Sequence, residues 1–279
     1  MNLTIELEGR SCLDESHVAE FRGADHFDEI YIRTDRLFRR EDALKVELVR
    51  SAAKITIWAD VTRASVGHLV SLPNLQELFL FDLRPHGRLT GFADARDLIN
   101  FSCAYGLSGK DLLEVAKAPN LQKLGAQNSN LTKASILALV AHPRLTHVDF
   151  ECTDFDDDLA ELISRSQTIT SLEVGCTRVT KIGLEKLCSM PQLRELDIWS
   201  NNIGEADFDM LSRLKNLEYL SVGGHDDQTE FTLAGTLPRL KNIPSLKRVW
   251  LDGFRVTRDE WNELNRLYEQ VTVTSVTDT

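Results

Sequence analysis

The sequence predicts an α/β fold in which repeated strand–helix units stack side by side, strand beside strand, around a continuous apolar interior. Three observations carry this prediction. The apolar pair that opens "LEVGCTRV", Leu172 and Val174, returns 24 residues later in "LDIWSNNI" as Leu196 and Ile198. The same step finds Val148 with Phe150 and Leu124 with Ala126 on one side and Leu220 with Val222 on the other, and looser steps place anchors at Ile30, Ile55, Leu78, Leu98 and Val249. Finally, Pro73, Pro119, Pro143, Pro191 and Pro244 each stand two residues before the first leucine of a unit, where a fixed φ and a missing N–H end a helix and lead into a strand. A unit this short cannot bury its leucines alone, so repetition itself builds the core.

Residues 1–25 lack the repeat; "NLTIELEG" alternates Leu3, Ile5 and Leu7 as a strand does and is expected to cap the first unit. Residues 26–256 hold about ten units. A helix follows each strand, as in "TKIGLEKLCSM", where Ile182, Leu184, Leu187 and Cys188 share one face. The unit anchored at Leu98 is the exception. Pro85, Gly87 and Gly91 in "LRPHGRLTGFADA" predict a non-helical unit shortened to 20 residues. The run Asp154, Asp156, Asp157 and Asp158 lacks the glycine and distal glutamate of a calcium loop and reads as a helix start, where carboxylates meet the positive end of the dipole. An insertion around "HDDQTE" lengthens the penultimate unit to 29 and should form a loop beside Trp199 and Trp250. Within 257–279, "RDEWNELNRLYEQ" and "VTVTSV" predict a closing helix and strand, and the unbroken period predicts a single domain overall.

Written in full, the unit is L-x-x-L-x-L-x-x-(N/C/T)-x-L, as in Leu193, Leu196, Ile198, Asn201 and Ile203. Over residues 26–273 this resembles leucine-rich-repeat proteins, in particular stand-alone bacterial forms with repeats of about 24 residues. The resemblance implies a horseshoe-shaped solenoid, with a parallel β-sheet on the concave face and helices on the convex face, that binds on its concave face, since similar proteins serve as inhibitors, adaptors and recognition modules.

A formal charge of -11 argues against nucleic acid as a partner and for a protein with a basic surface. No signal-peptide succession and no run of 18 apolar residues is found, so a soluble, cytoplasmic protein without a membrane partner is expected. Of five cysteines, Cys152 and Cys176 share a column of adjacent units, and a reducing compartment predicts free thiols. His142, His147 and Cys152 straddle a turn and a strand, so no metal is expected. The chain has no phosphate-binding glycine loop, G-x-S-x-G elbow, H-E-x-x-H or paired CxxC. No catalytic residue and no cofactor is therefore expected, and an enzyme with an unrecognised site is the runner-up class.

Strand alternation shows which side chains face out. Trp58, Phe79, Phe81, Ile99 and Phe101 are expected to form an apolar patch, unless the N-terminal cap covers it. Asp149, Glu151, Glu173, Glu195 and Asp197 are expected to form an acidic stripe, followed by the aromatic anchors Trp199, Tyr219 and Trp250. Aromatic anchors are the common energetic centres of protein interfaces. The expected function is a non-enzymatic module that holds a basic protein partner, in its most specific form an inhibitor or immunity protein of a basic toxin. The alternative is a scaffold or adaptor.

Overall fold

The computed structural model describes residues 2–7, 27–46, 52–224 and 231–277. The chain divides into two compact units, Met1–Leu145 and Thr146–Thr279. Most of the sequence expected to form the N-terminal cap, the inserted loop at 225–230 and Cys12 lie outside the described residues. Among the described residues no helix is long and apolar enough to cross a membrane.

In the first unit, β1 (Asn2–Leu7), β2 (Phe27–Thr34), β3 (Ala52–Val61), β4 (Glu77–Leu83), β5 (Asn100–Tyr105) and β6 (Lys123–Gly125) pair in parallel in chain order. The described connections include helices Arg40–Val46, Arg63–Leu69, Gly109–Val115 and Lys133–Val140. Alternate strand residues turn inward, so Ile30, Ile55, Leu78, Phe101 and Leu124 form one buried ladder.

That ladder corrects the expected register. The anchor of the irregular unit is Phe101, paired with Leu78 and Leu124, and not Leu98. Leu98 is buried too, but in the slot of Leu75 and Leu121, the first leucine of L-x-x-L, three residues ahead of the strand anchor. The unit therefore spans 23 residues from Leu78 to Phe101. A 3-10 turn, Phe92–Asp94, stands where a helix would be, and Phe92 packs edge-on against Phe101 at 5.1 Å.

A buried ion pair ties this region together. Arg63 Nε and Nη2 donate to the two carboxylate oxygens of Asp111 at 3.0 and 2.7 Å, Nη2 also donates to the Gly106 carbonyl at 3.1 Å, and Nη1 donates to the Arg84 carbonyl. Both side chains are 5% exposed. Burial raises the Asp111 pKa, but hydrogen bonds from Arg63 and Ser108 outweigh it and hold the carboxyl below its ordinary value.

In the second unit, β7 (His147–Asp149), β8 (Ser171–Glu173), β9 (Glu195–Asp197), β10 (Tyr219–Gly223), β11 (Arg248–Thr257) and β12 (Gln270–Thr277) are again parallel and in order. They are connected through helices Asp157–Ile163 and Lys181–Leu187, the 3-10 segment Glu205–Arg213 and helices Leu233–Leu240 and Arg258–Leu267. The acidic run works at helix starts: Asp156 accepts from the Leu159 N–H at 3.0 Å, and Asp157 reaches the next repeat to accept from the Thr180 and Gly183 N–H groups at 2.8 and 2.9 Å.

The N/C/T slot has a chemical reason. After the strand the chain passes through a left-handed residue, Asn128, Cys152, Cys176 or Ser200, at φ 46, 55, 52 and 52°. The residue that follows must then donate back to the backbone: Ser129, Thr153 and Thr177 do so with hydroxyls at 2.7 to 2.9 Å, and Asn201 with its amide at 2.7 Å to the Val174 carbonyl. Cys152 and Cys176 lie on this left-handed column as free thiols, and partial burial together with the Cys176 thiol pushes Cys152 up to about 11.

Candidate functional site

In the first unit Trp58 stacks on Phe81 at 4.4 Å and on Phe79 at 6.3 Å, and Tyr105 meets Phe81 edge-on at 5.4 Å. Trp58 and Tyr105 are 40% and 43% exposed. Phe101 does not belong to this patch, because it is an interior anchor and fully buried. Ile99 is half-buried ahead of β5, with its N–H on the Gln76 carbonyl. Tyr105 escaped the sequence reading because it lies beyond the outward columns even in the corrected register, at the end of β5, where it pairs with Asp82 at the end of β4.

The second unit carries the acidic residues, and its register sorts them into rungs. One rung runs Asp149, Glu173, Asp197, Ser221 and Trp250; the rung before it runs His147, Ser171, Glu195, Tyr219 and Arg248. Strand neighbours lie about 4.8 Å apart, so Asp149, Glu173 and Asp197 confront one another as like charges. Burial and then these neighbours push Glu173 up to about 8. Asp197 rises to about 7 by burial above all, although hydrogen bonds with the Trp199 N–H and with Ser221 oppose it.

Glu195 is placed differently. Arg248 Nη2 donates to it at 2.6 Å and Ser171 Oγ at 2.9 Å, while the guanidinium lies 5.1 Å from the centre of the Tyr219 ring. Burial raises this carboxyl, but those bonds outweigh it and hold it below its ordinary value. The expected acidic stripe is thus interrupted at Glu195 by a cation from two strands away.

Beyond the rung, Trp199 lies across Gly175, where a Cβ would sit 2.1 Å from the indole nitrogen. Only the missing side chain lets the ring cross and Nε1–H donate to Glu151 Oε1 at 2.9 Å. The backbone N–H of Trp199 donates to Asp197 Oδ1 at 3.1 Å. Sequence reasoning identified Trp199 but not Gly175 as the residue that orients it.

These groups enclose a pocket of about 440 Å3. Glu151, Glu173 and Asp197 supply its acidic side, Trp199, Tyr219 and Trp250 its aromatic wall, and Ser221 and Asp252 complete it. Trp250 remains 47% exposed, so the wall is accessible from solvent. Cations are attracted both by the carboxylates and by the ring faces. Among the described residues no group of three or more His, Cys, Asp or Glu side chains is arranged to hold a metal ion.

No protein-family model matches the chain. A Trypanosoma equiperdum protein named for a proposed role as an "adenylate cyclase regulatory protein" is 25% identical over 149 residues, which cover 53% of this chain and 23% of that protein. Among solved structures, one described as a TDR receptor has a TM-score of 0.52 at 13% identity, covering 94% of this chain and 44% of that one. An internalin, InlF of Listeria monocytogenes, has a TM-score of 0.48 at 14% identity, covering 94% of this chain and 84% of the other. The receptor likeness shows a shared fold and nothing about partners. With its L-x-x-L-x-L repeat, its ladder of buried anchors and that shared fold, the chain has the repeat pattern and the α/β fold that leucine-rich-repeat proteins share.

Proposed function

We propose that the chain is a non-enzymatic protein-binding module whose open strand face, in residues 146–279, holds a partner with a basic surface. The observation that carries this reading is the convergence of Glu151, Glu173 and Asp197 on a pocket walled by Trp199, Tyr219 and Trp250. Outward positions of a repeat have no packing role that demands either residue type, and aromatic anchors ringed by charge are what interface centres use. The Trp58, Phe81 and Tyr105 cluster supports a second, apolar contact area in residues 1–145. An inhibitor that covers the active site of a basic enzyme is the most specific form of this reading. Raised carboxyl pKa values also suit acid catalysis, but a binding role uses the aromatic wall as well.

The test is kinetic. A partner cross-linked in the source cell would be identified, purified and measured against the parent, Trp250→Ala, and the combined Asp149→Asn, Glu173→Gln and Asp197→Asn variant. Removing the exposed tryptophan should weaken binding at least tenfold, about 1.4 kcal/mol. Removing the charges should chiefly slow association and flatten its salt dependence. A partner that binds both folded variants like the parent refutes the assignment, and a partner without a basic surface refutes its electrostatic part.

A further inference from the structure

We propose that the pocket of the second unit seats an arginine side chain from the partner, its guanidinium stacked on the aromatic wall and forked onto Glu173 and Asp197. The inference rests on the binding role proposed above and names the group that the face recognises. Three features point to arginine in particular.

Glu173 and Asp197 stand directly opposite each other on neighbouring strands, about 4.8 Å apart along the ladder. A guanidinium offers donors in a rigid planar fork that can engage two acceptors at once, whereas an ammonium is a compact point charge. The wall offers Trp199, Tyr219 and Trp250, and a flat delocalised cation stacks on such rings better than a hydrated ammonium. Finally, the chain makes this arrangement itself one rung away. Arg248 lies 5.1 Å from the Tyr219 ring centre while donating to Glu195 at 2.6 Å. The pocket repeats that chemistry, with carboxylate beside ring, but the charges that act most strongly on Glu173 are all carboxylates: Asp149, Glu151, Asp197 and Glu195.

Seating a cation there also moves protons. Asp149 and Glu151 face Glu173 from one neighbouring strand and its end, and Glu195 and Asp197 from the other. Tyr219 lies near Asp197 and Glu173, Asp252 lines the same pocket from the last strand that borders it, Arg248 is held by Glu195, and His147 acts on Glu195. With Glu173 at about 8 and Asp197 at about 7, the empty pocket retains a proton near neutrality. An incoming guanidinium replaces it: the carboxylic acid releases H+ to solvent and the carboxylate pairs with the arginine. Affinity therefore rises with pH until both carboxyls are ionised.

The experiment uses the full chain and N-acetyl-arginine methylamide as the probe, with the citrulline analogue as an uncharged control of the same shape and the lysine analogue as a control for charge alone. Indole N–H resonances of Trp199 and Trp250, assigned with Trp→Phe variants, report occupancy. The expected result is a saturable shift at millimolar probe, at least tenfold tighter at pH 8.5 than at pH 6, and at least tenfold weaker for citrulline and for lysine. Glu173→Gln with Asp197→Asn should abolish the shift, and the helix variant Glu161→Gln should leave it unchanged. If the double variant fails to fold, Trp250→Ala, at an outward and exposed position, takes its place and should weaken the probe at least tenfold. No saturable shift, a citrulline or lysine analogue that binds as well as arginine, or an affinity flat with pH overturns the proposal. A partner that depends on the face in a chain that ignores the probe overturns the arginine seat alone. A probe that binds in a chain whose partner is indifferent to every face substitution overturns the face reading, and with it the partner's arginine.

Discussion

Glu173→Gln is the most informative single substitution, because it separates the charge of the rung from its shape. The Glu173 pKa rises from 4.5 to about 8, by burial first and by the carboxylates around it second. Between those values the folded chain holds a proton that the unfolded chain has lost, so this group makes the fold progressively less stable as pH rises from about 4.5 to about 8. One pKa unit corresponds to about 1.4 kcal/mol, which sets a ceiling of roughly 4 to 5 kcal/mol. Partial access of water to the open face and proton sharing with Asp197 reduce the expected effect to about 1–2 kcal/mol. Glutamine has the same shape and no charge to bury. The variant should therefore match the parent near pH 4 and exceed it by about 1–2 kcal/mol at pH 9. Urea unfolding followed by circular dichroism, at pH 4, 6, 7.5 and 9, measures the difference directly. A difference that stays flat across this range refutes the buried-charge argument, whatever the absolute stabilities.

Gly175→Ala should force the Trp199 ring off Glu151, since the new methyl would sit 2.1 Å from its nitrogen; a loss of about 1–3 kcal/mol and a moved indole N–H resonance are expected, and an unchanged resonance would contradict the crossing geometry. Phe101→Ala should destabilise by roughly 3–5 kcal/mol and Tyr105→Ala by well under about 1 kcal/mol; equal losses in thermal and chemical unfolding would sink the corrected register. Asp111→Asn leaves the Arg63 guanidinium buried without its anion, for an expected loss of about 3–5 kcal/mol. Because the Asp111 pKa is depressed below 3.8, the parent's advantage is present above that value and disappears as pH falls through the lower folded value; an advantage that persists to the lowest pH at which both chains fold would disprove the pairing.

The regular repeats were legible because their spacing does not change: Leu124, Val148, Leu172, Leu196 and Leu220 fall at one period and form ladder partners wherever register is described. Alternation alone assigns Glu173, Asp197, Trp199, Tyr219 and Trp250 to the outward columns, and all five line one pocket. The irregular unit was misread for a physical reason. Leu98 and Phe101 are both buried and three residues apart, and the template prefers leucine at the anchor, whereas the strand there uses phenylalanine. Pairings between columns were not legible at all. Arg63 with Asp111 and Trp199 with Glu151 are 48 residues apart, and Arg248 with Glu195 53 apart, because each reaches across two repeats. A repeat pattern tells which face a side chain occupies, but not which neighbour on that face it will choose.

The rung of carboxylates gives the strongest internal argument that the second unit's face has a use. Like charges opposite each other across a ladder weaken a sheet, and nothing in the repeat requires acids at these positions, since Ser221 and Trp250 fill the same rung on the next two strands. The chain neutralises one such carboxylate itself, placing Arg248 on Glu195. At Glu173 and Asp197 it instead stacks acid on acid and holds Trp199 against Glu151 by keeping position 175 free of a side chain. Local arrangements that oppose stability tend to sit at sites that do something else. A cation brought from outside would turn that opposition into affinity: at high pH, where protonation no longer relieves the repulsion in the free chain, a bound cation would relieve it, so the same carboxylates that weaken the fold there would strengthen the bound state.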